Sequence, residues 1–257
     1  MLRRDRLLAM RLAVVGKGGA GKSLIAGTLA RLLGQAGDPV LAADLDVNPG
    51  LALSLGLPIT DEGLPAEAIQ PAPPDIPYGF DIRSGLSAEE AVARYSVEAP
   101  DRVRFLQIGN MSRLDHGLGR FVVAVRRILR AFRIPGWHVL GDLEAGTATA
   151  YEGYADFADR GLIVVEPTWS SGLTARRLLG ILRQSGQLPL LVGNKIRSQG
   201  DEQVIRSMAS SLGIPLAGLI PFDSTALEAE RAGKALVDRA PQTPSVAAIR
   251  GLAANLA

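Results

Sequence analysis

Gly16-Lys17-Gly18-Gly19-Ala20-Gly21-Lys22-Ser23 decides the fold, because it lies between the apolar run at residues 12–15 and a helical pattern at residues 24–33. A strand, a glycine-rich loop and a helix form the context in which Gly-x4-Gly-Lys-Ser binds phosphate. The glycines let the loop curl with its N–H groups inward, and the following helix adds its positive N-terminus. Lys22 is expected to contact the β- and γ-phosphates and Ser23 to bind Mg²⁺. The alternative is a glycine-rich turn that only closes a strand–helix unit.

The length and composition exclude several function classes. The 257 residues suffice for one large α/β domain, which we expect to span residues 1–257. The 28 basic and 26 acidic residues give a net charge of +2, which indicates neither nucleic acid nor an anionic membrane as partner. Cysteine is absent, which excludes disulfides and thiolate metal sites. Residues 1–10 lack the apolar core of a signal peptide, so we expect a disordered extension, Met10 as an alternative start, and a cytoplasmic protein.

Strand and helix patterns alternate along the rest of the chain. Apolar runs typical of buried parallel strands occur at residues 40–43, 103–108, 138–142, 162–165, 188–192 and 216–220. Helical patterns occur at residues 48–57, 120–132, 173–182 and 202–212, and two short helices are expected to close the chain. Residues 58–100 are rich in proline and are expected to form an irregular insertion with one short helix near residues 88–94. The alternation predicts an α/β fold with a doubly wound, mostly parallel sheet flanked by helices.

Acidic residues follow two of these strands, and ligands of parallel sheets bind outside the carboxyl ends of the strands. Asp44 and Asp46 are two residues apart, so on extended backbone both would point toward the phosphates, one orienting water and the other acting through the Mg²⁺ shell. Capping of a helix or turn is the alternative for this pair. Asp142 ends a second strand and is the natural acid to hold Mg²⁺ through water. The turn Glu144-Ala145-Gly146 is suited to sense the γ-phosphate through a backbone N–H.

Lys17 follows the first glycine, where an ordinary phosphate-binding loop needs no lysine. A second cation here could reach the phosphates of a nucleotide in its own subunit or in a facing subunit, and a cation supplied in trans raises the rate of phosphoryl transfer by about 10³ to 10⁵. A solvated loop lysine is the alternative. The pattern Lys-Gly-Gly-x-Gly-Lys-Ser resembles the deviant Walker loop of the MinD/ParA group of dimeric ATPases. The resemblance implies a P-loop NTPase fold, ATP and Mg²⁺ as ligands, ATP hydrolysis, and a homodimer that forms on ATP binding.

The resemblance also assigns roles to individual residues. Lys17, Lys22 and Asp46 would be catalytic, with Asp46 activating water, whereas Ser23, Asp44 and Asp142 would hold Mg²⁺. Asn194-Lys195 resembles the base-contacting Asn-Lys of the group, although an Asn after a strand is commonly a turn residue. Pro221-Phe222-Asp223 resembles the segment that lines the base pocket. The predicted set for ATP or ADP is Gly16, Gly18, Gly19, Ala20, Gly21, Lys22, Ser23, Leu24, Asn194, Lys195, Pro221 and Asp223.

Two further segments indicate a resemblance to one subgroup of the MinD/ParA group. Asp142-Leu143-Glu144-Ala145-Gly146 and Val164-Val165-Glu166-Pro167-Thr168 look like the nickel-insertion ATPases of carbon monoxide dehydrogenase maturation, the CooC type. This similarity covers nearly the whole chain and implies a protein client, such as a metalloenzyme. That subgroup carries Cys-x-Cys where this chain reads Gly117-Leu118-Gly119-Arg120-Phe121. Asp115 and His116 are a nitrogen–oxygen pair nearby, and a polar loop is the alternative that we favour.

A regulator that binds DNA or a membrane is the alternative from another function class. DNA binding would use five arginines on two predicted helices, Arg126, Arg127, Arg130, Arg176 and Arg177. A solvated helix face fits these better, because the net charge is small. Residues 245–257 contain one cation, fewer than a basic amphipathic anchor needs. We therefore expect neither nucleic acid nor a membrane as partner. His138, at the start of a buried strand, is expected to be structural.

Overall fold

The computed structural model describes residues 9–46, 48, 50–72, 79–109 and 118–256, without the side chains of Leu118 and Thr149. Its strands are β1 (Arg11–Gly16), β2 (Val40–Leu45), β3 (Ile69–Pro71), β4 (Phe80–Ile82), β5 (Val97–Ala99), β6 (Val103–Gln107), β7 (His138–Leu143), β8 (Arg160–Val165), β9 (Leu188–Ile196) and β10 (Leu216–Pro221). Its α-helices are α1 (Lys22–Ala36), α2 (Leu51–Leu55), α3 (Ala88–Tyr95), α4 (Leu118–Ala131), α5 (Ala148–Tyr151), α6 (Trp169–Gln184), α7 (Gln199–Leu212), α8 (Ser224–Arg231), α9 (Leu236–Arg239) and α10 (Pro244–Leu256). Of the extension expected at residues 1–10, residues 1–8 lie outside the described residues, as does the pair Asp115–His116, whereas Met10 is buried and ordered against β7.

Eight of the described strands form one sheet in the order β10-β9-β8-β1-β7-β2-β6-β5. Neighbouring strands are parallel except β5 and β6, which are antiparallel. β1 lies near the centre, with Val14 opposite Asp142 on one side and Leu162 on the other. The predicted doubly wound, mostly parallel sheet flanked by helices is confirmed. This topology brings the carboxyl ends of β1, β2, β7, β8 and β9 to one edge of the sheet.

The sheet has an apolar core on each face, because successive strand residues point to opposite faces. Leu12 and Val14 of β1 pack in the core covered by α1 and α10, whereas Ala13 and Val15 pack in the core covered by α4, α6 and α7. Burial on both faces explains why β1 and β2 are continuously apolar rather than alternating.

Residues 58–100 contain more regular structure than the sequence predicted. The described part holds α3 close to the expected position, the antiparallel pair β3–β4, and β5 at the edge of the main sheet. The turn between β5 and β6 places Asp101 and Arg102 at φ 59°, in the left-handed region. Hairpin turns of this kind usually carry Gly or Asn, so this sequence gave no hairpin signal.

Two predicted boundaries and the predicted number of helices after β10 differ from the structure. β9 continues to Ile196 instead of ending at residue 192, since it pairs with both β8 and β10, so Asn194 and Lys195 belong to the strand. α6 begins at Trp169, four residues earlier than predicted. Three helices rather than two follow β10, because Gly233 breaks the chain at φ 63° after α8 and Pro244 starts a third helix.

His138 is fully buried at the start of β7, as expected of a structural residue. Its Nδ1 accepts the N–H of Met10 at 3.0 Å, and burial lowers the pKa of His138 despite Asp38 nearby. None of the helices in the described ranges combines the length and apolar character needed to span a bilayer.

Candidate nucleotide-binding site

The loop between β1 and α1 packs so tightly that two of its positions require glycine. A Cβ on Gly16 would lie 2.4 Å from the carbonyl oxygen of Val164 in β8. Gly21 precedes α1 with φ +96°, and a Cβ there would lie 2.2 Å from Nδ2 of Asn194 in β9. The loop is therefore pressed against two neighbouring strands and has little freedom to change shape.

α1 begins at Lys22, so its unpaired N–H groups and partial positive charge meet the loop. The side chain of Lys22 is buried, and Ser23 beside it is partly exposed. No acidic side chain lies in the first turn of α1 to neutralise this terminus. A helix terminus, an ammonium and a glycine loop together suit an anion of the phosphate type.

Asp44 is buried at the end of β2, directly opposite Asp142 of β7. Its carboxylate accepts the backbone N–H groups of Asp46 at 3.0 Å, Gly50 at 3.0 Å and Leu51 at 2.9 Å. Burial raises the pKa of Asp44 to about 6, although these three hydrogen bonds act in the opposite direction. Asp44 thus caps the start of α2, which was the alternative for this acid, and its Mg²⁺ role stays a prediction.

Asp142 is a buried acid with an unused oxygen. It is 1% exposed, and its Oδ1 has no hydrogen-bond partner among the described residues. Burial and the charge of Asp44 raise the pKa of Asp142 to about 8, against the opposing effects of Ser23 and Lys22. An orphaned carboxylate oxygen beside a hydroxyl and a second carboxylate fits a divalent cation such as Mg²⁺.

Such a cation would depend on phosphate oxygens and water for its remaining ligands. Within the described ranges, no group of three or more His, Cys, Asp or Glu side chains has the geometry to hold a metal ion. This agrees with Mg²⁺, which keeps several waters and is bound through one or two protein groups together with substrate phosphates.

The turn after β7 is tied to the phosphate loop. The N–H of Gly146 donates to the carbonyl of Gly16 at 3.0 Å, so one backbone N–H of the turn expected to sense the γ-phosphate contacts the loop in this structure. Partial burial, with the charges of Asp46 and Glu152, raises the pKa of Glu144 in the same turn. A phosphate that displaced the Gly146 contact would move this turn.

A cavity of about 600 Å³ extends from the loop to α8 and is large enough for a nucleotide. It brings together most of the predicted site residues, namely Gly18, Gly19, Gly21, Lys22, Ser23, Leu24, Asp46, Asn194, Lys195, Pro221 and Asp223. Gly16, Lys17, Ala20, Asp44 and Asp142 are absent from its lining. Sequence reasoning missed Gly50, Ser54, Leu227, Glu230, Lys234 and Leu236 in its wall. No local motif marks these residues, because only the packing of α2, α8 and α9 brings them to the cavity.

Asn194 and Lys195 both donate to carbonyls of the phosphate loop. Nδ2 of Asn194, which is 4% exposed, lies 2.7 Å from the carbonyl oxygen of Ala20. Nζ of Lys195 lies 2.7 Å from the carbonyl oxygen of Gly19 and 2.6 Å from Oε1 of Glu166. The base contacts expected of the pair stay a prediction, whereas its contacts with the loop are formed.

Asp223 uses its carboxylate inside the protein. It caps α8 by accepting the N–H of Thr225 at 2.9 Å, and it accepts the hydroxyl of Ser245 at 2.6 Å. Burial would raise the pKa of Asp223, but these hydrogen bonds outweigh it and lower the pKa. Its predicted contact with a base would therefore use a carboxylate that already has two partners.

Lys17 is exposed and points to the start of α6, where its Nζ donates to Oγ of Ser170 at 3.0 Å. A cation at a helix N-terminus is repelled by the partial positive charge there. The helix terminus therefore opposes this contact, whose acceptor is a neutral hydroxyl. The neighbouring Trp169 is 82% exposed.

The arginines considered for DNA binding on α4 are paired with acids. Arg130 lies 3.0 Å from Asp156, which also pairs with Arg126. Arg127 lies 3.2 Å from Asp81 of β4. These pairs reduce the positive field of the α4 face, which disfavours nonspecific DNA binding there.

The sheet topology and the loop together define a P-loop nucleotide-binding protein. The family model described as the CobQ/CobB/MinD/ParA nucleotide binding domain matches residues 12–237, and the chain belongs to this family. Carbon monoxide dehydrogenase accessory protein CooC of Rhodospirillum rubrum is 30% identical over 248 residues, covering 90% of this chain and 91% of CooC. An uncharacterised ATP-binding protein of Methanocaldococcus jannaschii is 30% identical over 233 residues, covering 88% of this chain and 90% of that protein.

Solved structures agree with this assignment at the level of the fold. The septum site-determining protein MinD complexed with Mg-ADP from Pyrococcus horikoshii aligns with a TM-score of 0.73 at 20% identity. The alignment covers 96% of this chain and 95% of that MinD. The resemblance to the MinD/ParA group predicted from the sequence is therefore confirmed.

Proposed function

We propose that this protein is a Mg²⁺-dependent ATPase that dimerises on ATP binding and acts as a switch on a protein client. The observation that carries the proposal is the convergence of three groups behind the phosphate loop. Lys22 and Asp142 are both buried there, Oδ1 of Asp142 has no hydrogen-bond partner among the described residues, and the ammonium of Lys22 and the hydroxyl of Ser23 both act to lower the pKa of Asp142. A protein with only a structural glycine turn would have no use for a buried acid with an unused carboxylate oxygen at this point.

The residues at the cavity have the chemistry that hydrolysis of a bound nucleotide needs, together with Mg²⁺. The loop N–H groups and Lys22 bind the phosphates, and Asp46 at the cavity wall orients a water and accepts its proton. Water forms a bond to the γ-phosphorus while the bond to the bridging oxygen breaks, which gives ADP and phosphate. Mg²⁺, held by Ser23 with Asp44 and Asp142, would offset the charge of the phosphate oxygens.

The exposed Lys17 supports a dimer formed through the loop face. The ammonium of Lys17 donates a hydrogen bond to Ser170, and that contact lies at an electrostatically unfavourable helix terminus. The phosphates of a nucleotide bound to a facing copy would be a stronger partner for the ammonium. ATP would thereby favour the dimer, and loss of the γ-phosphate would release it.

The client is proposed from the relative named carbon monoxide dehydrogenase accessory protein, which matches over nine-tenths of both chains. We propose a metalloenzyme client for this protein as well. The 257 residues contain no cysteine, so a metal would not be passed through thiolates of this sequence. The switch would act on its client by conformational change.

Two lysine variants test the proposal, with ATP affinity, oligomeric state and phosphate release as the measurements. Lys22→Ala should abolish ATP binding, because it removes the buried ammonium. Lys17→Ala should bind ATP like the wild type but dimerise poorly and release phosphate about 10³-fold more slowly. Exposed Arg206 of α7 provides the control Arg206→Ala, which should leave all three measurements unchanged.

Two outcomes would contradict the proposal. A wild-type protein that releases no phosphate from ATP would exclude the ATPase, and normal ATP-dependent dimerisation of Lys17→Ala would exclude the trans lysine. Wild-type protein and Lys17→Ala, used as baits with ATP, also test the client. Recovery of a metalloenzyme by the wild type alone is the expected result.

A further inference from the structure

We propose that Asn194 and Lys195 are positioning residues that hold the phosphate loop in its binding shape, with Glu166 as the brace of Lys195. The inference rests on the proposed function, because it takes phosphates to be the ligand of the loop. It concerns how the loop is kept ready, and it differs from the base-contacting role that the sequence suggested for the pair.

Two consecutive residues of β9 hold two consecutive carbonyls of the loop. Asn194 donates to the carbonyl of Ala20 and Lys195 to that of Gly19, each at 2.7 Å. The two sides are 174 and 176 residues apart in sequence, so only the tertiary fold creates the pairing. Both carbonyls are therefore drawn toward β9.

Fixing these carbonyls also fixes the direction of the next backbone N–H groups. In a trans peptide, the C=O of one residue and the N–H of the next residue point in opposite directions. With the Gly19 carbonyl on Lys195, the N–H of Ala20 closes a tight turn on the carbonyl of Lys17 at 3.2 Å. With the Ala20 carbonyl on Asn194, the N–H of Gly21 points away from β9. That N–H has no acceptor among the described residues, so it is free for a ligand.

Lys195 is itself fixed from two directions. Its backbone has φ 60°, which is uncommon outside glycine, and its ammonium lies 2.6 Å from Oε1 of Glu166. Glu166 is anchored in turn, because its N–H donates to the hydroxyl of buried Ser171 at 3.0 Å. The charge-assisted contact with Glu166 restricts the flexible Lys195 side chain, so that its ammonium can hold the carbonyl of Gly19 in one position.

The hydrogen bond that the Asn194 amide already makes favours contact with the loop over contact with a base. Asn194 is 4% exposed, and its Nδ2 already donates to the carbonyl of Ala20. One N–H of the amide is used by this carbonyl, and the burial of Asn194 leaves a base little access to the second N–H and to Oδ1. The absence of space for a Cβ at Gly21 shows how closely Asn194 supports the loop.

Inorganic tripolyphosphate separates the two roles, because it carries phosphates but no base. Its affinity and that of ATP, both with Mg²⁺, are measured by calorimetry for the wild type, Asn194→Ala and Lys195→Met. A positioning role predicts that both variants lose affinity for both ligands by the same factor, about 10- to 100-fold. Variants that lose ATP affinity but bind tripolyphosphate like the wild type would overturn the proposal in favour of a base contact.

Further variants keep the test decisive if the buried Asn194→Ala fails to fold. Lys195 is half exposed, so Lys195→Met should fold, and Lys195→Arg should restore part of the tripolyphosphate affinity. Glu166→Gln should weaken both ligands equally but less than Lys195→Met, because only the brace is lost. Arg206→Met, which removes an exposed cation from α7, should change neither affinity.

Three further outcomes distinguish a failure of this proposal from a failure of the proposed function. Unchanged affinity of Lys195→Met for both ligands would overturn the proposal, as would a wild type that binds ATP but not tripolyphosphate, since a preset loop needs no base. A wild type that binds neither ligand would instead contradict the proposed function. The two failures are thus distinguishable.

Discussion

At the scale of the residue, Gly16 shows how little space the site leaves. β1 and β8 are adjacent in the sheet, and the position of a Cβ on Gly16 is 2.4 Å from the carbonyl oxygen of Val164. A backbone atom cannot move aside as a flexible side chain can, so any larger residue must displace the loop or the strand. Sheet packing alone therefore requires the first glycine of the loop, apart from its proposed role in phosphate binding.

Gly16→Ala should lower the free energy of unfolding by about 1–3 kcal/mol, as overpacking of a tight interior does, and should weaken ATP binding. The matched control is Gly180→Ala in α6, where a Cβ would meet no atom within 4 Å. That variant should be neutral or stabilising by up to about 1 kcal/mol. Urea unfolding measures both, and equal stability of the two variants would contradict the steric argument.

At the scale of the element, the short helix α9 depends on α1 for its position. Arg31 of α1 is 3% exposed, and its guanidinium lies 2.6 Å from Asp238 of α9 and 2.6 Å from Asp101 in the β5–β6 turn. Hydrogen bonds to both acids raise the pKa of Arg31, although burial acts against them. A helix of four residues is not stable alone, so this ion pair helps to hold the cavity wall at Leu236.

Asp238→Ala should lower the free energy of unfolding by about 1–3 kcal/mol, because it removes one partner of a buried arginine. We expect a loss of unfolding free energy nearer the lower end of this range, because the Asp238 side chain is 46% exposed and its charge is partly screened by solvent. Arg239→Ala on the same helix is the control. It breaks an exposed 3.7 Å pair with Glu228 and should cost about 0–1 kcal/mol. Similar losses in the two variants, measured by urea unfolding, would show that Arg31 does not anchor α9.

At the scale of the whole molecule, the edge that carries the phosphate loop also carries an exposed aromatic side chain. Trp169 opens α6 beside Ser170, the partner of Lys17, and α6 packs against the short helix α5. The indole is 82% exposed, so it lies in water unless a partner covers it. In the proposed dimer, the copy that receives Lys17 would also approach Trp169.

ATP with Mg²⁺ should therefore shift the emission of Trp169 to shorter wavelength, because the indole passes from water to an interface. The shift should grow with protein concentration and be absent in Lys17→Ala. Trp169→Phe provides the control, since it leaves only Trp137, which packs edge-on against Phe132. A shift that persists at concentrations where the protein is monomeric would contradict dimerisation as its cause.

Much of the fold could be predicted from local patterns. Buried parallel strands are continuous apolar runs, and a glycine loop after such a run carries its own signal, so the sheet and the loop at residues 16–23 followed from the sequence. The turn at Asp101 and the last residues of β9 did not, because their conformation depends on pairing with neighbouring strands rather than on the local sequence. Elements with weak local signals are decided by what they pack against.

By itself, the sequence determined the class of site: a phosphate loop, the acids at strand ends and the extra Lys17 are motifs whose chemistry is carried by residue type and spacing. Only the tertiary structure decided what each acid and amide contacts. It turned Asp44 into a cap of α2, left Asp142 buried with an unused oxygen, and joined Asn194 to a loop 174 residues away. The physical reason is that hydrogen bonds and burial depend on distances in space, which chain spacing does not encode for residues on different strands.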